Sequence, residues 1–468
     1  MLSPVAELGI FILMFVTLCA SAFFSVRWFL FGLGFVLPLM LPRLEVGVGL
    51  DWYKLVGPLA IVLGVLARAR GVGLGRSFLK PFLFVIAYAM VVSAVWMFIE
   101  YNFLERYRLA AAMEMGGGIA QYRYKMPVQL GSFLGQVLAI FAVPLWARNA
   151  LQARTAILGV LFGCSVSAGS GAVHAVLRGS GTVNTAEMTA ALSIGEVDVN
   201  RLGGLSGEPK LLGACLAVVL VYLLARQLFG AAAQSRRNLA LFLAGSLALF
   251  WTYSTSAWAA ATLGIATTVI LSLRLAKPSR LATVLVLAGI AATAAVSVGV
   301  VASILDSRVT DRVFGEQNEL GLQKDVYVLE AFRDNPWDAL FGYGLGGGDF
   351  AAIPYVEWLH LKYKRTPTAG VTIVRILGDL GVVGVSMIVG IGFWWRRRAL
   401  KARKVMAEAA FIVGGLLAAL FCSLIALSLY FYLAGACLAL AALSGEEEQA
   451  VQAMPESRRD EMVVAHAA

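Results

Sequence analysis

His360-Leu-Lys-Tyr-Lys-Arg365 opens a stretch that turns apolar near Thr368, runs through Val371-Thr-Ile-Val-Arg375 and Gly378-Asp-Leu-Gly-Val-Val-Gly384, and closes on Trp395-Arg-Arg-Arg398. Cations, a long apolar run and more cations follow one another. A membrane span takes about 20 mostly apolar residues, so 368–394 reads as a transmembrane helix with a basic cluster at each end. The denser cluster, Arg396, Arg397, Arg398, Lys401, Arg403 and Lys404, marks a cytoplasmic boundary, because short cytoplasmic loops collect lysine and arginine.

Outward from this span the pattern repeats. Apolar runs lie near 5–25, 28–42, 53–67, 79–99, 128–146, 155–176, 210–227, 237–253, 256–273, 281–305, 408–427 and 428–444, which makes an all-α polytopic bundle of 12–13 transmembrane helices. Hydrophobic residues are 60% of 468 and charged ones 14%, far from the roughly half apolar and quarter charged composition of soluble domains. The net charge of +10 therefore calls for no nucleic-acid partner. It resides in short loops instead: Arg68, Arg70, Arg76 and Lys80; Arg148 and Arg154; Arg226, Arg236 and Arg237; Arg274, Lys277 and Arg280. The intervening segments, near 43–52, 100–127, 177–209 and 306–366, then face the other side, which is the periplasm in a bacterial inner membrane. Only Arg27 separates the first two runs, which leaves the side of the N-terminus open. With no basic leader and no Ala-x-Ala cleavage site, that first run reads as a retained helix.

Four regions result: helices 1–10 over 1–305, a large and partly helical periplasmic loop over 306–366, the C-terminal helices over 367–444, and a cytoplasmic, disordered tail over 445–468. Cys19, Cys164, Cys215, Cys422 and Cys437 all fall in apolar runs with no paired spacing, as small buried hydrophobes do. No cluster of metal-ligating types marks the polar loops, so neither metal nor cofactor is expected.

Charges and irregular backbone survive in a membrane protein only outside the hydrocarbon or against a water-filled cavity. Function is therefore sought in the polar loops. In Asn200-Arg-Leu-Gly-Gly-Leu-Ser-Gly-Glu-Pro-Lys210, Pro209 suits the first turn of a helix and the glycines free the backbone before it. Arg201, Lys210 and the helix start either hold a phosphate or serve as a surface turn with interfacial anchors. In the long loop, 320–334 reads as an amphipathic helix with Leu322, Val326, Leu329 and Phe332 on one stripe, stopped by Asn335-Pro336. Lys324 is either solvated on that helix or aimed into a cleft. The Gly342-Tyr-Gly-Leu-Gly-Gly-Gly348 turn has no preceding strand and is not a nucleotide fingerprint. His360, Lys362, Lys364 and Arg365 are either headgroup anchors or a diphosphate pocket. Arg375 and Asp379, four apart, share a helix face, which suits a structural or positioning role.

The order of these features resembles the O-antigen polymerase and ligase superfamily. The resemblance rests on Arg201-Leu-Gly-Gly-Leu-Ser-Gly-Glu-Pro-Lys-Leu-Leu-Gly213, on Gly321-Leu-Gln-Lys-Asp325 with Asn335-Pro-Trp-Asp-Ala-Leu-Phe-Gly-Tyr-Gly-Leu-Gly346, and on Gly378-Asp-Leu-Gly-Val-Val-Gly384. It implies transfer of glycans from undecaprenyl diphosphate at the outer face of the inner membrane. Basic residues at the first two motifs would grip the donor diphosphate: Arg201 matches the first, and Lys324 stands where arginine is usual. Two departures matter. The ligase branch carries a histidine eleven residues before the first glycine of its Gly-x-x-Gly, and here that position is Gly370. Ser-Ala-Trp258 replaces the Ser-Arg-Gly of many relatives, so one family arginine is missing.

Taken together these features imply a Wzy-type polymerase that joins lipid-linked repeat units by metal-independent inverting transfer, the missing ligase histidine weighing against a ligase. Arg201, Lys210, Lys324 and Arg365 would bind the diphosphate, and His360, Glu208 or Asp325 would accept the hydroxyl proton. Its partners would be an undecaprenyl-diphosphate-linked donor and acceptor, membrane lipid, a flippase and a chain-length regulator. A ligase-like transfer to a lipid or protein is the alternative, and a flippase or transporter of lipid-linked sugars is a second. A transporter would spread its charges across both leaflets, whereas these gather on one side.

Overall fold

The computed structural model describes residues 4–40, 44–46, 48–69, 71–72, 80–113, 119–179, 191–194, 197–200, 202–206, 208–230, 232–252, 254–276, 327–355, 371–401 and 405–453. These are helical apart from turns and two small antiparallel hairpins, β1 (Leu44–Val46) with β2 (Val48–Leu50) and β3 (Ala191–Ile194) with β4 (Val197–Asn200). The first half contains α1 (Pro4–Phe24), α2 (Val26–Val36), α3 (Trp52–Leu66), α4 (Lys80–Ile99), α5 (Arg106–Met113), α6 (Ile119–Arg123), α7 (Lys125–Val137), α8 (Ala142–Trp146) and α9 (Ala150–Gly179). After it come α10 (Pro209–Phe229), α11 (Ala232–Trp251) and α12 (Thr255–Ser272). The described part of the long loop holds α13 (327–334), α14 (Pro336–Phe341) and α15 (Gly347–Ala351). Last are α16 (Thr372–Ala399), α17 (Met406–Leu420) and α18 (Leu424–Ala453).

Among the described residues, eight helical stretches are long and apolar enough to cross a membrane, and α2, α3 and α17 are shorter apolar helices. The protein is a polytopic helical membrane bundle. Its axis is formed by α10 and α18, whose apolar windows are 83% and 94% buried, while α1 and α4 at 17% and 22% lie at the periphery. Apolar side chains gain nothing by leaving lipid for one another, so close backbone approach has to hold such helices together. At the crossing of α12 and α17, a Cβ on Gly264 would stand 2.8 Å from the Gly414 carbonyl oxygen, and one on Gly414 2.6 Å from that of Gly264.

Hydrogen bonds define the two faces of the bundle. On one, Leu202 N–H donates to Trp251 O (3.1 Å), Met40 N–H to Leu205 O (2.9 Å) and Thr372 N–H to Cys422 O (2.9 Å). On the other, Arg226 pairs with Glu408 (3.1 Å) and Arg396 donates to Leu271 O (2.8 Å). The first is the loop face and the second the arginine face. Helices α1 and α2 form a hairpin about Ser25, with a Cβ on Gly32 falling 2.7 Å from Leu18, and Phe11 stacks on Trp52 at 4.5 Å. The Pro4 end of α1 therefore lies toward the loop face.

The apolar runs and the observed helices agree closely where both are described; the run at 281–305 lies outside the described residues. Two boundaries differ. The last two runs divide at Phe421–Ser423, ahead of the expected break at 427/428, because the sequence there is continuously apolar and carries no glycine, proline or charge at the turn. The disordered tail expected from 445 is helical at its start: α18 continues to Ala453, through Glu446–Glu448, and residues 454–468 lie outside the described residues. Of the amphipathic helix expected over 320–334, residues 327–334 are described; Leu322 and Val326 lie outside them, and of the other two stripe residues Phe332 is buried and Leu329 is not. Tyr327, Val328, Ala331 and Phe332 are buried, while Leu329, expected on the buried stripe, is 47% exposed. Asn335-Pro336 does end it, and α14 starts at Pro336.

The sharpest backbone feature lies in α16. Gly381 adopts φ +66° inside the helix, and Gly342, in the glycine-rich turn, has φ +76°. A Cβ on Gly381 would meet Leu340 O at 2.3 Å, and one on Gly342 would meet the Asp379 carbonyl carbon at 2.4 Å. Both the left-handed conformation and the backbone contact exclude a side chain. A helix break orphans carbonyls, which in hydrocarbon need protein donors. Gly378 O accepts from Tyr343 N–H (2.9 Å) and Leu380 O from the Tyr88 hydroxyl (2.9 Å). Gly381→Ala is expected to lower thermal stability in detergent by roughly 1–3 kcal/mol or more, the scale of stored backbone strain. Gly390→Ala, where a Cβ meets nothing within 4 Å, should leave the melting midpoint unchanged in the same fluorescence-detected size-exclusion assay.

Candidate functional site

Three helix ends on the loop face converge on the start of α16. Helix α10 begins at Pro209 with Glu208 in the N-cap position (φ −112°, ψ 140°), so the expectation for Pro209 holds. Glu208 is exposed and its carboxylate does not cap the helix. Lys210 is half-buried beside this end and acts electrostatically on Cys422, in the turn between α17 and α18. The Cys422 carbonyl accepts from both the Thr372 hydroxyl (2.6 Å) and the Thr372 N–H (2.9 Å), which fixes the N-terminus of α16. Two helix N-termini and a lysine thus gather around one turn, and the positive ends of helix dipoles together with an ammonium favour an anion.

One turn deeper, α7 and α16 enclose a small polar cleft of about 10 Å³, room for on the order of one water. Gln129, Ser132 and Gln136 line it from α7, and Arg375 and Asp379 from α16. Gln136 is 1% exposed; its Nε2 donates to Ser132 Oγ (3.2 Å) while its Oε1 has no partner. Arg375 Nε lies 3.9 Å from Asp379 Oδ2, and Arg375 Nη2 is buried without a hydrogen-bond acceptor. The shared helix face expected for Arg375 and Asp379 is present, and Gly348 N–H donates to Asp379 Oδ1 (3.3 Å).

That bond joins α16 to the glycine-rich turn. Residues 342–353 are buried throughout, and Leu345 N–H donates to Ser93 Oγ on α4 (3.0 Å). Asp349 pairs with Lys125 at the start of α7 (3.0 Å), and both are largely buried, at 5% and 15% exposure. The Lys125 ammonium also sits 5.3 Å from the Phe350 ring centre. A second buried carboxylate, Glu100, opens a π-helical turn at the end of α4 and pairs with Arg106 (2.8 Å). Near the surface the Tyr355 hydroxyl donates to Asp334, which closes the segment on itself and pushes the phenol up to about 12.

Of the residues singled out in the sequence, Glu208 and Lys210 are thus found together at the start of α10. Arg201, Lys324, Asp325, His360 and Arg365 lie outside the described residues. Lys125, Asp349 and Glu100 escaped the sequence reading. The first two are partners only through the fold, but Gln129, Ser132 and Gln136, at helical spacing in an apolar run, were a legible polar stripe. Trp258 stands where many relatives have the glycine of Ser-Arg-Gly, and its indole N–H donates to Leu249 O (3.0 Å) while its ring stacks on Phe250 (5.2 Å). Ala257, in the place of the family arginine, is buried.

Residues 239–389 match the family model described as O-antigen ligase. The match supports membership of the O-antigen polymerase and ligase superfamily. It covers the glycine-rich turn and the Gly378–Gly384 motif, whereas the Arg201–Gly213 motif precedes it. No curated protein matches the chain.

Removing one partner of a buried ion pair costs about 3–5 kcal/mol, and removing both costs far less. Lys125→Met is therefore expected to destabilise the protein strongly and Lys125→Met with Asp349→Leu only mildly. A thermal-melt double-mutant cycle checks this; equal losses in the single and double variants would show that the pair does not hold the turn.

Proposed function

We propose that this protein polymerises undecaprenyl-diphosphate-linked oligosaccharide repeat units by inverting glycosyl transfer at the periplasmic face of a bacterial inner membrane. The observation that supports this best is the setting of Lys210: a cation beside two converging helix N-termini, in a chain with an O-antigen ligase domain. A hydroxyl at the non-reducing end of one repeat unit attacks the anomeric carbon of a second, lipid-linked chain. The bond from that carbon to the diphosphate oxygen breaks, the electron pair leaves with the diphosphate, and the hydroxyl proton passes to a base. Positive charge aimed at the departing anion lowers the barrier without needing a metal. Arg201, Lys210, Lys324 and Arg365 serve this role, and His360, Glu208 or Asp325 takes the proton.

The family description favours a second reading, transfer of a finished glycan to a lipid or protein acceptor. Gly370 in the ligase histidine's position weighs against it. Lipid-linked oligosaccharides from a deletion strain, weighed by mass spectrometry, separate the two: single repeat units accumulate if the protein polymerises, and full-length lipid-linked chains if it ligates.

Arg201→Ala should abolish chain growth at normal protein level. Arg201→Lys should be nearly as damaging, because the planar two-pronged donor is lost. Lys324→Ala should reduce the rate by roughly 10²–10³, the usual cost of removing one charge-stabilising group, while Lys324→Arg keeps part of it. Polymer length and membrane-protein level in each variant check this, and full activity in Arg201→Lys would reduce Arg201 to an interfacial anchor.

A further inference from the structure

Helix α14 turns an apolar face outward: Trp337 is 76% exposed, Leu340 38% and Phe341 50%. Its single carboxylate, Asp338, faces the other way, hydrogen-bonded to Tyr343 and within electrostatic reach of Arg106. The depth of this helix follows from what its end touches. The Tyr88 hydroxyl reaches both Phe341 O (3.2 Å) and Leu380 O (2.9 Å). At 1.5 Å per residue, Tyr88 lies about 12 Å from the Lys80 end of α4 and about 18 Å from Glu100. Leu380 lies about 12 Å from the Thr372 end of α16 and about 24 Å from Arg396. Each helix separately places Phe341 within a hydrocarbon layer about 30 Å thick.

The surroundings agree with that depth. On the Tyr88 face of α4, at helical spacing, Phe84, Val91 and Val95 are 68%, 62% and 51% exposed, and Val382 beyond the break in α16 is 47% exposed. The outward face of α14 continues this apolar exterior. Irregular backbone at membrane depth has to be sealed by protein, and residues 342–353, which follow, are buried, with Tyr343, Leu345 and Gly348 N–H groups all donating to protein acceptors. The residues that lead into α14, Arg333 and Asp334, are polar and exposed.

We propose that residues 335–348 form a re-entrant segment. It enters the bilayer from the loop face as α14, turns back at Gly342, and presents Trp337, Leu340 and Phe341 to lipid hydrocarbon. The proposal is independent of the glycan chemistry.

Nitroxide labels on Trp337→Cys and Leu340→Cys, with Arg333→Cys as the surface reference, test it. The full chain would be reconstituted in phosphatidylethanolamine and phosphatidylglycerol vesicles, in a Cys19→Ala background because the other four cysteines are buried. Variants are read only if they elute as native protein, and either of the two helix positions suffices. Oxygen, which concentrates in hydrocarbon, should relax the labels at 337 and 340, a water-soluble nickel chelate should not, and Arg333→Cys should show the reverse. Nickel access at 337 and 340 equal to that at 333 would overturn the proposal in favour of a water-facing loop. Labels shielded from both reagents would overturn it in favour of a protein partner or a second copy.

Discussion

Two backbones meet without side chains between them where Gly342 rests against Asp379 and Gly381 against Leu340, and the rest of the site depends on that contact. It requires left-handed glycine on both sides, and it breaks α16 within the bundle. The break frees the carbonyls of Gly378 and Leu380, and the turn itself brings the donor for one of them, Tyr343 N–H. Once docked, the turn carries Gly348 to Asp379 and Asp349 to Lys125. The start of α7, the break in α16 and residues 342–353 are thereby fixed relative to one another.

The charges buried here offset each other. Lys125 with Asp349 and Arg375 with Asp379 are two opposite pairs, so the bundle encloses no net charge from them. Isolated, any of the four would be costly at this depth, and their arrangement suits holding a shape more than meeting a ligand. The small cleft beside Arg375 leads to the same view. Toward the loop face, Lys210 stands beside the N-termini of α10 and α16.

Most of the bundle was legible in sequence because hydrocarbon imposes one rule on every span. Runs such as 79–99 and 210–227 announce their helices by length alone, and Pro209 and Asn335-Pro336 mark ends that are local chemistry. Features that depend on distant partners were silent. Nothing near Lys125 points to Asp349, and Gly342 reads as a loop glycine until Gly381 is seen against it. The turn at Phe421–Ser423 was hidden for another reason: cysteine, serine and aromatic residues continue the apolar pattern across it. Leu329 was misassigned because its segment packs around Tyr343 through Tyr327, Ala331 and Phe332, a choice set by tertiary contact and not by periodicity.

We propose above all that this bundle moves glycan from a polyprenyl diphosphate with its own cationic groups. The most direct measurement incubates the purified protein, in vesicles, with a synthetic undecaprenyl-diphosphate-linked repeat unit and follows the lipid products by mass spectrometry. A ladder of lengthened lipid-linked chains is expected, with one undecaprenyl diphosphate released for each linkage made. Repeat units that remain single while crossing from one leaflet to the other would contradict it.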